Sequence, residues 1–193
     1  MDKLFNLYLT ELLEWNKKFN LTAVTDPEEI RVRHFEDSLS VLQAIDLVEE
    51  KVVDIGAGAG FPGIPLKIVR PRIKLTLIEA TRKKVEFLKH LITVLALTEV
   101  EVVWGRAEEL KEYHGKYEVA VSRAVAKLPL LVKYGLPFLK AKGIFIAMKQ
   151  DAVEEEIEDA RKNLSQYKGK IKEIKKVKVG DLVRSLVIIE KIG

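Results

Sequence analysis

Three glycines at alternate positions, Gly56, Gly58 and Gly60, follow directly on the apolar run Val52-Val53-Asp54-Ile55 and lead into Phe61-Pro62-Gly63. A strand that runs through such a turn into a helix brings backbone close to a ligand. Glycine adopts dihedrals that a β-carbon forbids, and the first turn of the helix offers free N–H groups to a carboxylate or phosphate. Read from Gly58, the segment also fits the dinucleotide pattern G-x-G-x-x-G. Asp54 argues for a different ligand, because a carboxylate at the strand end repels a pyrophosphate and attracts an ammonium, directly or through water. Glu79 closes the run Leu75-Thr76-Leu77-Ile78, where a doubly wound fold places a carboxylate that takes both ribose hydroxyls, and it serves NAD equally well. Further along, Gly105-Arg106-Ala107-Glu108 is positioned for an adenine edge, with Glu108 able to accept from the exocyclic amine. Loop, acid and acid along successive strand ends indicate an adenosine cofactor, and Asp54 with the compact glycine spacing favours S-adenosylmethionine. Each residue alone also has a plainer reading: a turn that is only a turn, or an acid favoured near a helix N-terminus.

Other reactive groups are few. The chain has three histidines, His34, His90 and His114, and no cysteine, which excludes thiolate zinc sites, disulfide scaffolds and cysteine nucleophiles. No histidine is assigned proton transfer. Arg123 suits a cofactor or another group of the site, and Lys149, at a strand's carboxyl end, suits a phosphate. An oxidoreductase would need a hydride-transfer pair such as Tyr-x-x-x-Lys, and no convincing one is present. Basic clusters occur at Arg31 and Arg33, Arg70 and Arg72, Arg82 to Lys84, and at lysines 168, 170, 172, 175, 176 and 178. The last run interleaves with Ile171, Ile174, Val177 and Val179 and reads as an exposed strand guarded by edge lysines rather than as an RNA surface.

The elements that must carry these groups are legible in the hydrophobic pattern. Short β-branched runs at 52–55, 73–78, 100–104, 119–121, 144–148 and 186–189 alternate with helical stretches at 64–69, 83–97, 128–139 and 153–164. That alternation predicts an α/β fold with a mostly parallel, doubly wound, Rossmann-like sheet. Ahead of it, Phe5, Tyr8, Leu12, Trp15 and Phe19 form an apolar stripe on a helix, and a second helix is expected from Pro27, behind Asp26 as N-cap, toward Ile45. Residues 1–48 are thus read as a helical extension packed on a core of residues 49–193. With 193 residues one globular unit is expected, and no segment is apolar enough to span a bilayer, so a cytoplasmic protein without membrane partners is the default. The net charge of +4 balances 33 basic against 29 acidic residues and does not by itself indicate nucleic acid. No coiled coil or large uncovered apolar face argues for an obligate partner, so a monomer is expected.

Several segments resemble one family closely, the bacterial small-subunit (16S) ribosomal RNA guanine-N7 methyltransferases once called glucose-inhibited division protein B. They are Trp15-Asn16-Lys17-Lys18-Phe19-Asn20-Leu21-Thr22-Ala23, His34-Phe35-Glu36-Asp37-Ser38-Leu39, the loop from Asp54 to Leu66, Arg106-Ala107-Glu108, Ser122-Arg123-Ala124-Val125-Ala126, and Ala147-Met148-Lys149. The resemblance spans nearly the whole chain. It implies a class I methyltransferase fold and transfer of the methyl group of S-adenosylmethionine to N7 of a guanine in 16S rRNA near the decoding centre, with the rRNA or small subunit as partner. By matched position it puts cofactor contacts on Gly56, Phe61, Ala107, Glu108 and Arg123. Arg123 and Lys149 are then positioning groups, and Asn20, His34, Asp37, Lys149 and Arg184 are candidates for the substrate side, although Asn20, His34 and Asp37 fit capping and packing as well. The chain departs from the family where relatives often have Asp-Ser after the second strand and this one has Glu79-Ala80, and where they often have Gly after the lysine and this one has Gln150. A methyltransferase for another RNA, a protein or a small molecule, and an NAD-dependent oxidoreductase, are the alternative readings.

Overall fold

The computed structural model describes residues 2–193. Its centre is a seven-stranded sheet in the order β3-β2-β1-β4-β5-β7-β6. The strands are β1 (Lys51–Ile55), β2 (Lys74–Glu79), β3 (Val100–Trp104), β4 (Tyr117–Arg123), β5 (Leu139–Gln150), β6 (Gly169–Val179) and β7 (Leu182–Lys191). The first five pair in parallel, and β7 runs antiparallel between β5 and β6. The doubly wound sheet expected from the alternating pattern is therefore present. The order of a dinucleotide-binding sheet is 3-2-1-4-5-6, and this sheet differs by the insertion of antiparallel β7.

Parallel strands are covered on both faces, and the strand sequences say which side chain goes where. Val52, Leu75, Leu77, Val119 and Val121 face a core shared with α4 (Gly63–Val69), α5 (Arg82–Val94) and α1 (Asp2–Phe19). Val53, Ile55, Ile78, Ala120 and Phe145 face the opposite core, closed by α6 (Leu128–Gly135) and α7 (Glu154–Gln166). The α1 stripe packs inward as its spacing predicts, with Tyr8 and Leu12 fully inaccessible, Phe5 buried, and Trp15 and Phe19 partly buried against the same core. Its core is continuous with that of the sheet.

Two stretches differ from the sequence expectation. The helix expected from Pro27 starts as predicted, with Asp26 accepting from the Glu29 N–H at 2.9 Å, but it does not run on as regular α-helix. After α2 (Pro27–Ile30) it widens into a π-helical turn over Arg31–Glu36, tightens to α3 (Asp37–Leu39) and ends as a 3-10 turn over Ser40–Gln43. Such a widening re-aims the side chain of His34, which it carries, and shifts the facing of Asp37 directly after it. The helix expected over 128–139 ends at Gly135, because Pro137 lacks the N–H that would continue it, and a short 3-10 turn then leads into β5 at Leu139. The lysine-rich run forms β6, the edge strand of the sheet, as expected of a guarded edge. Three of its lysines are engaged locally: Lys172 with Glu190, Lys175 with the Gln43 carbonyl and Lys176 with Asp151.

α1 bears directly on the glycine turn. The Tyr8 hydroxyl donates to the Ala59 carbonyl at 2.6 Å, and its ring stacks on Phe61 with centroids 5.3 Å apart. Gly60, at φ +103°, is the residue that permits this approach, since a β-carbon there would lie 2.7 Å from the Tyr8 hydroxyl. Tyr8→Phe, which keeps the ring and leaves the buried carbonyl unpaired, is expected to lower stability by about 1–2 kcal/mol. Urea denaturation checks this, and an unchanged midpoint and slope would remove the hydroxyl from the account.

Candidate active site

The glycine turn is held over the end of β2. Gly56 N–H and Ala57 N–H both donate to the Ile78 carbonyl at 2.9 Å, and Gly58 N–H donates to Glu79 Oε2 at 2.9 Å. The other Glu79 oxygen accepts from Thr81 N–H at 2.7 Å, so this carboxylate is fixed by backbone donors on both sides while it lines the cavity. Gly56, at φ +71°, backs onto Val125, whose methyl would lie 2.4 Å from a β-carbon. At Gly58 an added β-carbon would meet nothing nearer than 3.9 Å, so the turn opens there. The resulting cavity, of about 360 Å³, is lined by Leu21, Thr22, His34, Phe61, Ala80, Lys84 and Arg123 together with the turn and Glu79. It lies at the carboxyl ends of β1, β2 and β4, where the strand order reverses and α/β folds bind ligands.

A second cavity of about 570 Å³ adjoins it, sharing His34, Arg123, Ala124 and Val125 and extending to Asp37, Met148, Lys149, Gln150 and Arg184. The segment Ser122-Arg123-Ala124-Val125-Ala126 is the partition between the two. Ser122 anchors it by donating to the Ile55 carbonyl at 2.8 Å, and Ala124 takes φ +56° to turn the chain between the chambers. A third cavity of about 600 Å³, around Lys74, Glu101 and Tyr113, sits at the amino ends of the strands, the wrong end for chemistry in this architecture.

The expected site residues fall into three groups. Gly56, Gly58, Phe61, Glu79, His34 and Arg123 converge on the first cavity, with Gly60 in the same turn, and Asp37, Lys149 and Arg184 on the second. Asp54 lies beneath the turn rather than in it. It is fully buried, with Oδ2 accepting from Gly63 N–H at 2.8 Å at the start of α4 and Oδ1 without a partner. Burial pushes its carboxyl up to about 7, against the pull of the Gly63 N–H and of Arg123. Ala107 and Glu108 stand on a 3-10 turn after β3, outside the residues that line either cavity.

Three of the residues expected on the substrate side have structural engagements of their own. Asn20 lines neither cavity; it ends α1 at φ 47°, a conformation asparagine tolerates at helix C-termini. Asp37, on the wall of the second cavity, is wholly inaccessible and is taken by Arg123 and Arg184, each at 2.9 Å, so it holds both arginines in place. Lys149 is not a free cation: its ammonium binds Glu156 at 2.8 Å and the Ala126 carbonyl at 2.9 Å, tethering the partition from behind. Glu156 also accepts from Leu128 N–H at the start of α6.

The family-like segment around Trp15 has a structural explanation. Trp15 packs on Phe19, Phe87 and His90, and Asn16 clamps Thr22 by accepting from its N–H at 2.9 Å and donating to its carbonyl at 3.0 Å. Thr22 in turn meets His34 Nε2 at 2.7 Å. The role of Thr22 was not anticipated from the sequence, nor was that of Val125, because both depend on backbone turns that no residue pattern announces. His34 rests on Phe61 at 4.7 Å, and its Nδ1 lies 3.0 Å from the Arg33 carbonyl and 3.3 Å from Arg123. Burial, seconded by Arg123, lowers its pKa to about 4, so the imidazole is neutral and both nitrogens are occupied.

Comparison with known proteins agrees with this geometry. Residues 1–187 match the family model described as rRNA small subunit methyltransferase G. The protein of that name from Thermoanaerobacter sp. (strain X514) is 46% identical over 97% of this chain and 81% of its own length, and that from Clostridium botulinum is 45% identical over 99% and 84%. Among solved structures, a mutant of MtNAS in complex with S-adenosylmethionine superposes with TM-score 0.67 over the whole chain and 76% of its own, at 16% identity. M. jannaschii TYW2 in complex with AdoMet superposes with TM-score 0.64 over 80% of this chain and 74% of its own, at 19% identity. The fold is the Rossmann-like class I methyltransferase fold, and by sequence across nearly its full length the chain belongs to the rRNA small subunit methyltransferase G family.

Proposed function

We propose that the protein transfers the methyl group of S-adenosylmethionine to N7 of a guanine in small-subunit ribosomal RNA. The observation that carries this is the pair of cavities meeting at Arg123 and Val125, one of them cradled by glycines. Guanine N7 carries a lone pair and no proton, so the reaction calls for alignment rather than a general base. When bound, the cofactor supplies an electrophilic methyl on a sulfonium. The residues present fit such a group. Gly58 leaves the cradle open, Glu79 faces the cavity as a ribose acceptor, and the buried, unpartnered Asp54 Oδ1 suits an ammonium reached through a water. Ala107 and Glu108 are proposed for the adenine edge, on the strength of matched position alone.

On the substrate side, Val125 and Met148 offer apolar faces to a base, and Arg184 and Gln150, paired across β7 and β5, offer polar groups. N7 is exposed on the Hoogsteen edge, which proteins reach in RNA mainly at loops and unstacked nucleotides, so the target is a locally open guanine. Small ribosomal subunits lacking native modification, incubated with labelled S-adenosylmethionine, are expected to gain label at a single guanine, mapped by cleavage of the chain at N7-methylguanine. Label at another atom or base would overturn the N7 assignment; binding of cofactor with no label in RNA would overturn the substrate.

The cofactor pocket also makes a prediction about pH. Asp54 is raised in the folded state from its usual 3.8 to about 7, so its contribution to stability is whole below the lower value and is lost as pH rises through the upper one. Asp54→Asn removes this titration and keeps an acceptor for Gly63 N–H. Without cofactor, the variant's unfolding free energy relative to the parent should rise by a few kcal/mol between about pH 4 and about pH 8. Urea titrations measure it, and a difference independent of pH would contradict the buried-carboxyl account.

A further inference from the structure

Asp37 takes one arginine on each carboxylate oxygen: Arg123 Nη1 donates to Oδ2 and Arg184 Nε to Oδ1, both at 2.9 Å. The arginines come from different strands, β4 and β7, and serve different spaces. Arg123 lines both cavities, and Arg184 only the second. Arg123 is further pinned by the Arg33 carbonyl at 2.9 Å and lies over the Phe61 ring at 5.0 Å. Arg184 has its Nε spent on Asp37, which leaves its two terminal nitrogens for the second cavity.

The charges do not balance. One carboxylate faces two guanidinium groups whose side chains are only 13% and 21% exposed, and among the described residues neither arginine has another carboxylate within 4.0 Å. The adjoining Lys149 and Glu156 pair with each other and His34 is uncharged, so on the side of the second cavity no further carboxylate pairs with the arginines. Cationic charge withdrawn from water without a counter-charge is costly, and an arriving oxyanion relieves that cost through a charge-assisted hydrogen bond. Two ligand groups have this chemistry, the carboxylate of the cofactor and a phosphate of the RNA. Arg184 lies outside the first cavity, which favours the phosphate.

Building on the methyl-transfer reading, we propose that Asp37 is a positioning residue for both cavities and that the charge left over by its two arginines receives an RNA phosphate through Arg184. Full-length Arg184→Gln should bind S-adenosylmethionine in calorimetry within about twofold of the parent. Its KM for small ribosomal subunits should rise roughly tenfold, with kcat little changed and the dependence of RNA affinity on log salt shallower by about one. Arg184→Lys, which keeps the charge, should recover part of the loss. Asp37→Asn should weaken both cofactor and RNA binding, and adding Arg184→Gln to it should raise KM much less than in the parent, since Arg184 is already unanchored. If Arg184→Gln weakens cofactor binding instead, the oxyanion is the cofactor's carboxylate and the proposal fails. It fails equally if KM and salt slope match the parent. Should Asp37→Asn not fold, the two Arg184 variants decide the phosphate assignment, and Arg123→Lys, which loses the Asp37 geometry but keeps its charge, decides the positioning role by its effect on cofactor affinity. Absence of methyl transfer by the parent itself would indict the proposed function, which these comparisons keep separate.

Discussion

A single buried carboxylate organises the reactive end of this protein. Asp37 is inaccessible to water and joins three parts of the chain, the π-widened helix that carries it, strand β4 through Arg123 and strand β7 through Arg184. An unpaired buried carboxylate is strongly unfavourable, so the partners are compelled to approach it, which fixes Arg123 in the wall between the two cavities and Arg184 on the second. The π-helical turn belongs to the same constraint. It sets Asp37 toward the strands while keeping His34 against Phe61 and Arg123. Antiparallel β7, which separates this sheet from a dinucleotide-binding one, is what brings the second arginine to the carboxylate.

The cofactor side rests on a different balance, between a permissive turn and the elements that restrain it. Glycines let the chain reach conformations that other residues resist, at an entropic cost that the surroundings must offset. Here α1 supplies that restraint through Tyr8 on Ala59 and Phe61, β2 through Glu79 on Gly58, and α4 through Asp54 on Gly63. The N-terminal helix is therefore more than a cover. Through Asn16, Thr22 and His34 it extends a line of hydrogen bonds to the guanidinium of Arg123, so the extension and the sheet position the site jointly.

Much of this was legible in the residues alone. The alternation of β-branched runs with amphipathic ones gave the parallel sheet and both layers of helices, because burial on two faces leaves a pattern that local sequence records. The glycine turn and Glu79 were legible for the same reason, as a strand end followed by a turn with a chemical requirement. Asp37 and Lys149 were singled out by their sequence context, but their intramolecular partners were not legible there. An ion pair between residues 37 and 184 depends on how β7 inserts into the sheet, and a tether from Lys149 to Glu156 depends on how α7 returns across it. Neither leaves a periodic trace. The strand β6 was read correctly as a guarded edge, since alternating lysine and aliphatic residues carry that meaning locally.

The central claim is that alignment by Arg123, rather than proton transfer, sustains the reaction. Single-turnover methyl transfer to small ribosomal subunits by Arg123→Ala, measured beside its urea unfolding curve, tests this most directly. Removing Arg123 leaves Asp37 and Arg184 as a balanced pair, so a cooperatively folded variant is expected, with transfer reduced by about a hundredfold or more. A folded variant that transfers the methyl group at the parent's rate would contradict the account.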